Sequence, residues 1–392
     1  MKITQIETLH CDGGWRPWTF IKITTDEGMA GWSECTDSHG SPQGIEGVVK
    51  DLSPLLIGQD PRAVEKHYWL MHSRTRQSPG SIIQKAIGGI ENALLDIKAK
   101  ALGVPVYELL GGAVREKIPL YWSHCGTSRV RAWQLVGKPQ IKFLEDIKTF
   151  GQEIQASRFR AIKTNIGVLS DGNPRIYMPG FSKSEGGPEL NANRDILKAI
   201  DIWIGALRDA VGEDIDIVLD LNFNFKTEGY IKIGRMLEKY NPLWLEIDSY
   251  DPEALRMIKD SLTTPIGSCE NLYGLRQYRP YFEKHAMDIA SIDILWNGFY
   301  RSKQIADMAE LYEMNVAPHN YNGHLSTFIS AQFCALVPNL RIMEYDVDDV
   351  PWREELFTNL PKIENGAMEV PTGPGWGTEI KEEVLRQHTW RK

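Results

Sequence analysis

The chain opens on a period of two. Apolar and polar residues alternate through MKITQIETLH, and further short apolar runs follow in TFIKITTDEG and MAGWSE. This pattern predicts strands, with the DEG tripeptide as a turn between the last two. Between Ile82 and Leu110 the spacing changes. The stretch IIQKAIGGIENALLDIKAKALGVPVYELL repeats its apolar positions at helical intervals and stops at Gly111-Gly112. Strands followed by helices predict an α+β unit over about 1–115.

From about Lys117 the rhythm changes again. Short apolar runs recur at IPLYWS, RAIKTN, DIVLDLN, LWLEID, PIGSCE, DIASIDI, NVAPH and RIMEY, each followed by a helical stretch. The last six begin in the twenties of residues apart, the repeat length of βα units that close into a TIM-like barrel. A barrel over 116–350 is therefore expected. A wider gap before DIVLDLN holds GVLSDGNPRIYMPGFSKSEGGPELNAN, rich in Gly, Pro, Ser and Asn and without periodicity. A loop of this length predicts a lid or binding loop. The tail over 351–392 is Pro-rich, then briefly helical, and is expected to pack back on the first unit.

Composition narrows the function. The 392 residues are 42% hydrophobic and 24% charged, which suits a large folded core. A net charge of −8 gives no global basic field for nucleic acid or an anionic membrane. Cys11, Cys35, Cys125, Cys269 and Cys334 are scattered, odd in number and without a CxxC pair. A disulfide framework is not expected, and a reducing cytoplasm is. There is no signal-peptide-like start and no apolar run long enough to cross a bilayer.

Barrel enzymes keep their chemistry at the C-terminal ends of the strands. Read in order, those ends carry Lys163 and Asn165, then Asp220, Glu246, Glu270, Asp293, His319 and Glu344. Three carboxylates on neighbouring strand ends (Asp220, Glu246 and Glu270) repel one another unless a cation sits among them, and oxygen donors suit Mg²⁺. Asp293 and His319 on adjacent strands are placed for a dyad in which the acid orients the imidazole. Lys163, Asp293, His319 and Glu344 are the candidate catalytic residues.

These motifs together resemble the enolase superfamily, and within it the mandelate racemase subgroup, over nearly the whole chain. The resemblance rests on GGIENALLDIKAKALGVPVYELLGG, on Asp220 in LDLN, Glu246 in WLEID and Glu270 in SCEN, on Asp293 in SIDILWNG and His319 in APHN, on Glu344 in IMEYD, and on TGPGWG at 372–377. It implies an α/β fold, a modified (β/α)7β barrel with an α+β capping domain completed by the C-terminal tail. It also implies Mg²⁺ on Asp220, Glu246 and Glu270, the dyad Asp293–His319, and Glu344 near a substrate carboxylate oxygen. The expected partner is a small carboxylate, an acid sugar, and self-association into a homo-oligomer is expected.

One departure bears on the reaction. Where the family often has Lys-x-Lys, this chain has Lys163-Thr164-Asn165, and Asn222 stands where some galactonate-type dehydratases have a histidine. Racemisation needs acid–base groups on both faces of the carbon, whereas dehydration can use one base that returns its proton to the leaving hydroxyl. The expected reaction is loss of water from an aldonate or aldarate through an ene-diolate, giving a 2-keto-3-deoxy acid. The alternatives are an epimerase or racemase, a lactone cycloisomerase, and a non-catalytic barrel that only binds. For substrate contacts the sequence offers Trp15 and Arg16 in the loop between the first two strands, His124 at the end of the first barrel strand, Asn165, Asn222, Tyr177 in the insertion, and His324. Arg175 in the insertion is a further candidate, whereas His72, Arg74 and Arg76 read as a solvated helix face.

Overall fold

The computed structural model describes residues 1–37, 40–169, 172–181 and 186–390. Parts of the unpatterned insertion, 170–171 and 182–185, lie outside the described residues.

The alternating N-terminus forms a three-stranded antiparallel sheet of β1 (Ile3–Asp12), β2 (Pro17–Thr25) and β3 (Ala30–Glu34). Helices α1 (Pro42–Leu52), α2 (Val64–Arg74) and α3 (Ser81–Leu102) follow. In α3, Ala86, Ile87, Ile90, Ala93, Leu94 and Ile97 are all buried, because the helix lies between its own sheet and the barrel. Its Gly88-Gly89 pair makes that position possible. A β-carbon on Gly88 would stand 2.8 Å from the Gly298 amide nitrogen, and one on Gly89 would stand 2.7 Å from the Ile21 side chain. Two surfaces can approach this helix so closely only where the side chain is a hydrogen.

The second unit is a barrel. Strands β4 (Lys117–Ser123), β5 (Ala161–Thr164), β8 (Asp216–Asn222), β9 (Trp244–Ile247), β10 (Ile266–Ser268), β11 (Ile289–Asp293) and β12 (Asn315–His319) pair in parallel in that order. The eighth strand, β13 (Met343–Asp346), pairs in parallel with β4, and a bridge between Val316 and Leu340 carries the ring from β12 toward it. Each predicted apolar run lies on one of these strands. The insertion after β5 contains a two-residue hairpin, β6 (Gly167–Val168) against β7 (Arg175–Ile176).

The tail makes contacts on both units. Hairpin β14 (Ile363–Glu364) and β15 (Ala367–Glu369) adds to β4, while the Trp376 indole donates to Trp32 O and Cys11 bridges to Thr389 on the capping sheet. Asp96 of α3 ties three parts together. It accepts from the backbone amides of Trp32 (2.8 Å) and Trp376 (3.0 Å) and pairs with Lys100 (2.6 Å). Glu34 does the same between β3 and the barrel, accepting from the Gly323 and Ser326 amides at the start of the helix His324–Leu336. A carboxylate there meets the free N–H groups of the first helical turn.

The five cysteines are all free and buried. Among the described residues no helix is long and apolar enough to cross a membrane.

Candidate active site

The C-terminal ends of the barrel strands surround a cavity of about 290 Å³, closed above by the segment around Asp37, by the start of α3 and by the insertion. The backbone at its floor is strained. His124 just after β4 (φ 49°), Asn222 ending β8 (φ 44°) and Cys269 just after β10 (φ 88°) adopt left-handed conformations without being glycine. The β8 ladder also shifts register between Asp220 and Asn222. Such features cost on the order of 1–3 kcal/mol each and persist where the surroundings hold a side chain in a particular direction.

Lys163 is the electrostatic centre of the floor. Its ammonium is buried, 2.8 Å from Glu246, 2.7 Å from Glu344 and 4.0 Å from Asp220. Burial opposes its charge, but Glu246 and Glu344 outweigh that and hold it well above the usual lysine range. His319 faces it across the cavity floor from β12. Its Nδ1 is 2.7 Å from Asp293 Oδ2, and its Nε2 is 3.6 Å from Glu270. Burial pushes the imidazolium down, yet Glu270, Asp293 and Glu344 raise its pKa to about 10. Asp293 is itself fixed, since its other oxygen accepts from the Trp296 amide at 2.9 Å.

Most of the acids are raised as well, which for a carboxyl favours the neutral form. Asp220 is pushed up to about 8 by burial; Lys163 pulls the other way, while the like charges of Glu246 and Glu270 add to the rise. Burial also raises Glu270 and the neighbouring Asp248, whose Oδ2 is buried without a hydrogen-bond partner among the described residues. Glu344 is the exception: burial would raise it, but Lys163 and His319 hold it below the ordinary carboxylate range. The donor set (buried, hard carboxylate oxygens on three adjacent strands) fits a divalent cation such as Mg²⁺. The spacing is not a ready-made cage: among the described residues no three Asp, Glu, His or Cys side chains are gathered as one metal site. Lys163 and His319 stand among the acids instead.

Several expected substrate contacts line the cavity, namely His124, Asn165 and Asn222 beside Lys163, Asp220, Glu270 and His319. Asn165 and Asn222 face each other at 3.5 Å. His124 is held by Ser123 Oγ at 2.7 Å, and Ser123 in turn donates to Glu344. Glu246, Asp293 and Glu344 sit beneath the lining, bonded to the side chains that form it.

Other expected contacts fall elsewhere. Arg16 is buried and paired with Asp349 at 2.9 Å, with its guanidinium 4.5 Å from the Tyr321 ring. Trp15 stacks on Tyr321 at 6.4 Å. Both therefore support Tyr321 from outside the cavity, because the loop's charge is already satisfied by the tail of the barrel. His324 is fully buried at a helix start with Nε2 3.0 Å from Glu354, so it is a packing residue. Tyr177 is buried against Phe225 at 6.1 Å, and its neighbours Met178 and Phe181 reach the cavity in its place. Arg175 bonds to Asn173 O outside the lining. Arg74 and Arg76 are exposed, as the helix-face reading expects, and His72 is partly buried against Tyr68 and Trp69.

The structure adds residues that pattern alone missed. Lys85 reaches in from α3, paired with Asp37 at 2.9 Å and 3.7 Å above the Trp296 ring. A lysine within the apolar IIQKAIGG stretch was the available signal. Tyr321, Trp296 and Asn271 stand within three residues of His319, Asp293 and Glu270. Arg131 carried no signal, because only the fold brings its short helix to the cavity rim.

Comparison with known proteins agrees with this architecture. The solved structure of a Burkholderia xenovorans protein, provisionally named L-alanine-DL-glutamate epimerase, is 45% identical, with a TM-score of 0.97 over 99% of this chain and 98% of that one. A second structure of it, bound to magnesium and fumarate, superposes with a TM-score of 0.96 over 99% of this chain and 96% of that one. Named sugar-acid enzymes are more distant. A D-xylonate dehydratase of Haloferax volcanii is 28% identical over 99% of this chain and 89% of its own length. A D-galactonate dehydratase of Ralstonia nicotianae is 28% identical over 98% of this chain and 94% of its own length. Residues 13–111 match the mandelate racemase / muconate lactonizing enzyme N-terminal domain and residues 147–384 the enolase C-terminal domain-like model, so the chain belongs to the mandelate racemase / muconate lactonizing enzyme family of the enolase superfamily.

Proposed function

We propose that the protein is a Mg²⁺-dependent hydro-lyase of a sugar acid, which removes the proton α to the carboxylate and expels the β-hydroxyl to give a 2-keto-3-deoxy acid. The observation that carries this reading is the pairing of one oriented imidazole, His319 on Asp293, with one buried ammonium, Lys163, across the cavity floor. Asp220, Glu246 and Glu270 would hold the ion, which supplies positive charge beside the substrate carboxylate when bound. The relatives named as dehydratases of xylonate and galactonate support the sugar-acid class.

The chain's own residues account for the remaining steps. Lys163, fixed between Glu246 and Glu344, stays charged and stabilises the negative charge that grows on the carboxylate oxygens as the α-proton leaves. His319, aimed by Asp293 and starting from its neutral form, takes that proton at Nε2 and delivers it to the departing β-hydroxyl on the same face. The resulting enol rearranges to the 2-keto acid. Met178 and Phe181 cover the cavity and limit entry of water.

A second reading has its own observation. The 45%-identical Burkholderia protein carries an epimerase name, and an epimerase needs proton handling but no loss of water. A screen of aldonic and aldaric acids with Mg²⁺ in D₂O separates the two. Accumulation of a semicarbazide-reactive 2-keto acid is the expected result. Deuterium exchange at the α-carbon with inversion and no keto acid would establish the epimerase instead, and absence of any exchange across the panel would leave a non-catalytic barrel.

A further inference from the structure

We infer that Arg131 receives a second anionic group of the substrate, so that the site selects a dicarboxylic acid over the corresponding monoacid. The inference rests on the proposed carboxylate site at Lys163 and deepens it by naming the substrate class.

Helix α4 (Thr127–Arg131) follows the first barrel strand and carries two arginines with opposite roles. Arg129 is buried and structurally committed, bonded to Asp348 at 2.8 Å and to Glu153 at 2.6 Å. Arg131, two residues on, turns to the cavity and lines it. Its bonds are to neutral groups: Nη2 donates to the Tyr321 hydroxyl at 3.0 Å, and Nη1 lies 3.6 Å from the Met178 sulfur. The other cations at this cavity all have carboxylate partners. Lys85 has Asp37, Lys163 has Glu246 and Glu344, and His319 has Asp293 and Glu270. Among the described residues Arg131 has none.

A guanidinium carries five donors in a planar fork that matches a carboxylate bidentately, and two neutral contacts leave most of that fork open. Tyr321 fixes the guanidinium from one side. The tyrosine ring is itself held against His124 at 3.9 Å and over Arg16 at 4.5 Å, so the arginine is aimed rather than freely swinging. The cavity thus presents the Lys163 ammonium and, beside Tyr321, a guanidinium with no carboxylate partner among the described residues. A chain with a carboxylate at each end satisfies both, whereas a monoacid leaves Arg131 facing a hydroxymethyl group.

The test is equilibrium binding by calorimetry to the Mg²⁺-loaded full chain. The probes are unbranched dicarboxylates of four to six carbons, each against the monocarboxylate of equal length, so that hydroxyl configuration plays no part. The wild type is expected to prefer at least one diacid by about tenfold or more, and Arg131→Gln to bring that ratio close to one, a change of about 1.4 kcal/mol. Arg131→Lys, which keeps the charge without the fork, should recover part of it. Equal binding of diacid and monoacid by the wild type, or a ratio unchanged in Arg131→Gln, overturns the inference. Failure of the lyase reading shows separately, as absence of α-proton exchange in D₂O, and does not alter the binding ratio.

Discussion

His319 holds its Nδ1–H on Asp293 and keeps Nε2 on the cavity side near Glu270, the arrangement in which an imidazole can accept and return a proton. Replacing it with Asn is expected to lower dehydration by roughly 10²–10⁴-fold, the usual range for a positioned acid–base group. Asp293→Asn should cost less, because it disturbs only the orientation and basicity of the ring. Lys163 differs in kind. It neutralises Glu246 and Glu344, so Lys163→Ala leaves two buried carboxylates without their ammonium partner, a loss on the order of 3–5 kcal/mol. Its thermal melt must be read beside its kinetics. Among variants that remain folded, α-proton exchange decides the roles: exchange by Lys163→Ala but not by His319→Asn confirms His319 as the base, and the reverse pattern reassigns that step to Lys163. Metal titration followed by calorimetry supplies a further check. Glu246→Gln should weaken Mg²⁺ binding by about tenfold or more, and an unchanged affinity would remove Glu246 from the ligand set.

At the scale of elements, the barrel strands end at the side chains proposed for the site, and Met178 and Phe181 of the insertion line the cavity. The insertion's contribution is uneven. Val168, Ile176 and Tyr177 are buried in the core, so deleting 167–193 would damage packing as well as cover. Met178 and Phe181 are the part that faces the cavity. The double variant Met178→Ala/Phe181→Ala is therefore expected to raise KM by about tenfold while the thermal midpoint shifts by only a few degrees, on the order expected for losses of 1–2 kcal/mol. An unchanged kcat/KM would show that the insertion is not a cover.

The whole molecule depends on how the capping unit is seated on the barrel, and that interface contains an uncompensated acid. Glu91 of α3 is buried, and among the described residues neither of its oxygens has a hydrogen-bond partner. Burial, against the opposing pull of Arg301, raises its pKa from 4.5 to about 8. The folded state therefore binds this proton more tightly than the unfolded chain does. Stability from this group is full below pH 4.5, declines as the pH rises from there toward 8, and changes no further above that. Glu91→Gln removes the titration. Relative to wild type, its thermal midpoint should rise by a few degrees at pH 8, with the difference shrinking toward pH 5. A difference that does not vary with pH would mean that Glu91 is not titrating in this interval.

Much of this was legible along the chain because it is local. A period of two, a period of 3.6 and the repeating βα interval depend on which face of each element meets water, so they reported the capping unit, the barrel and its strand ends, and with them Lys163, Asp220, Glu246, Glu270, Asp293, His319 and Glu344. What tertiary structure decided was compensation and direction. Arg16 looks like a ligand-binding cation until Asp349, 333 residues away, neutralises it. His324 looks like a second polar contact until the fold buries it against Glu354. Arg129 and Arg131 are equivalent in the string TSRVR, and only the packing of α4 turns one to Asp348 and Glu153 and the other to the cavity. A charge acts on a substrate only when no nearer partner has taken it, and partners so distant in sequence meet only after the chain has folded.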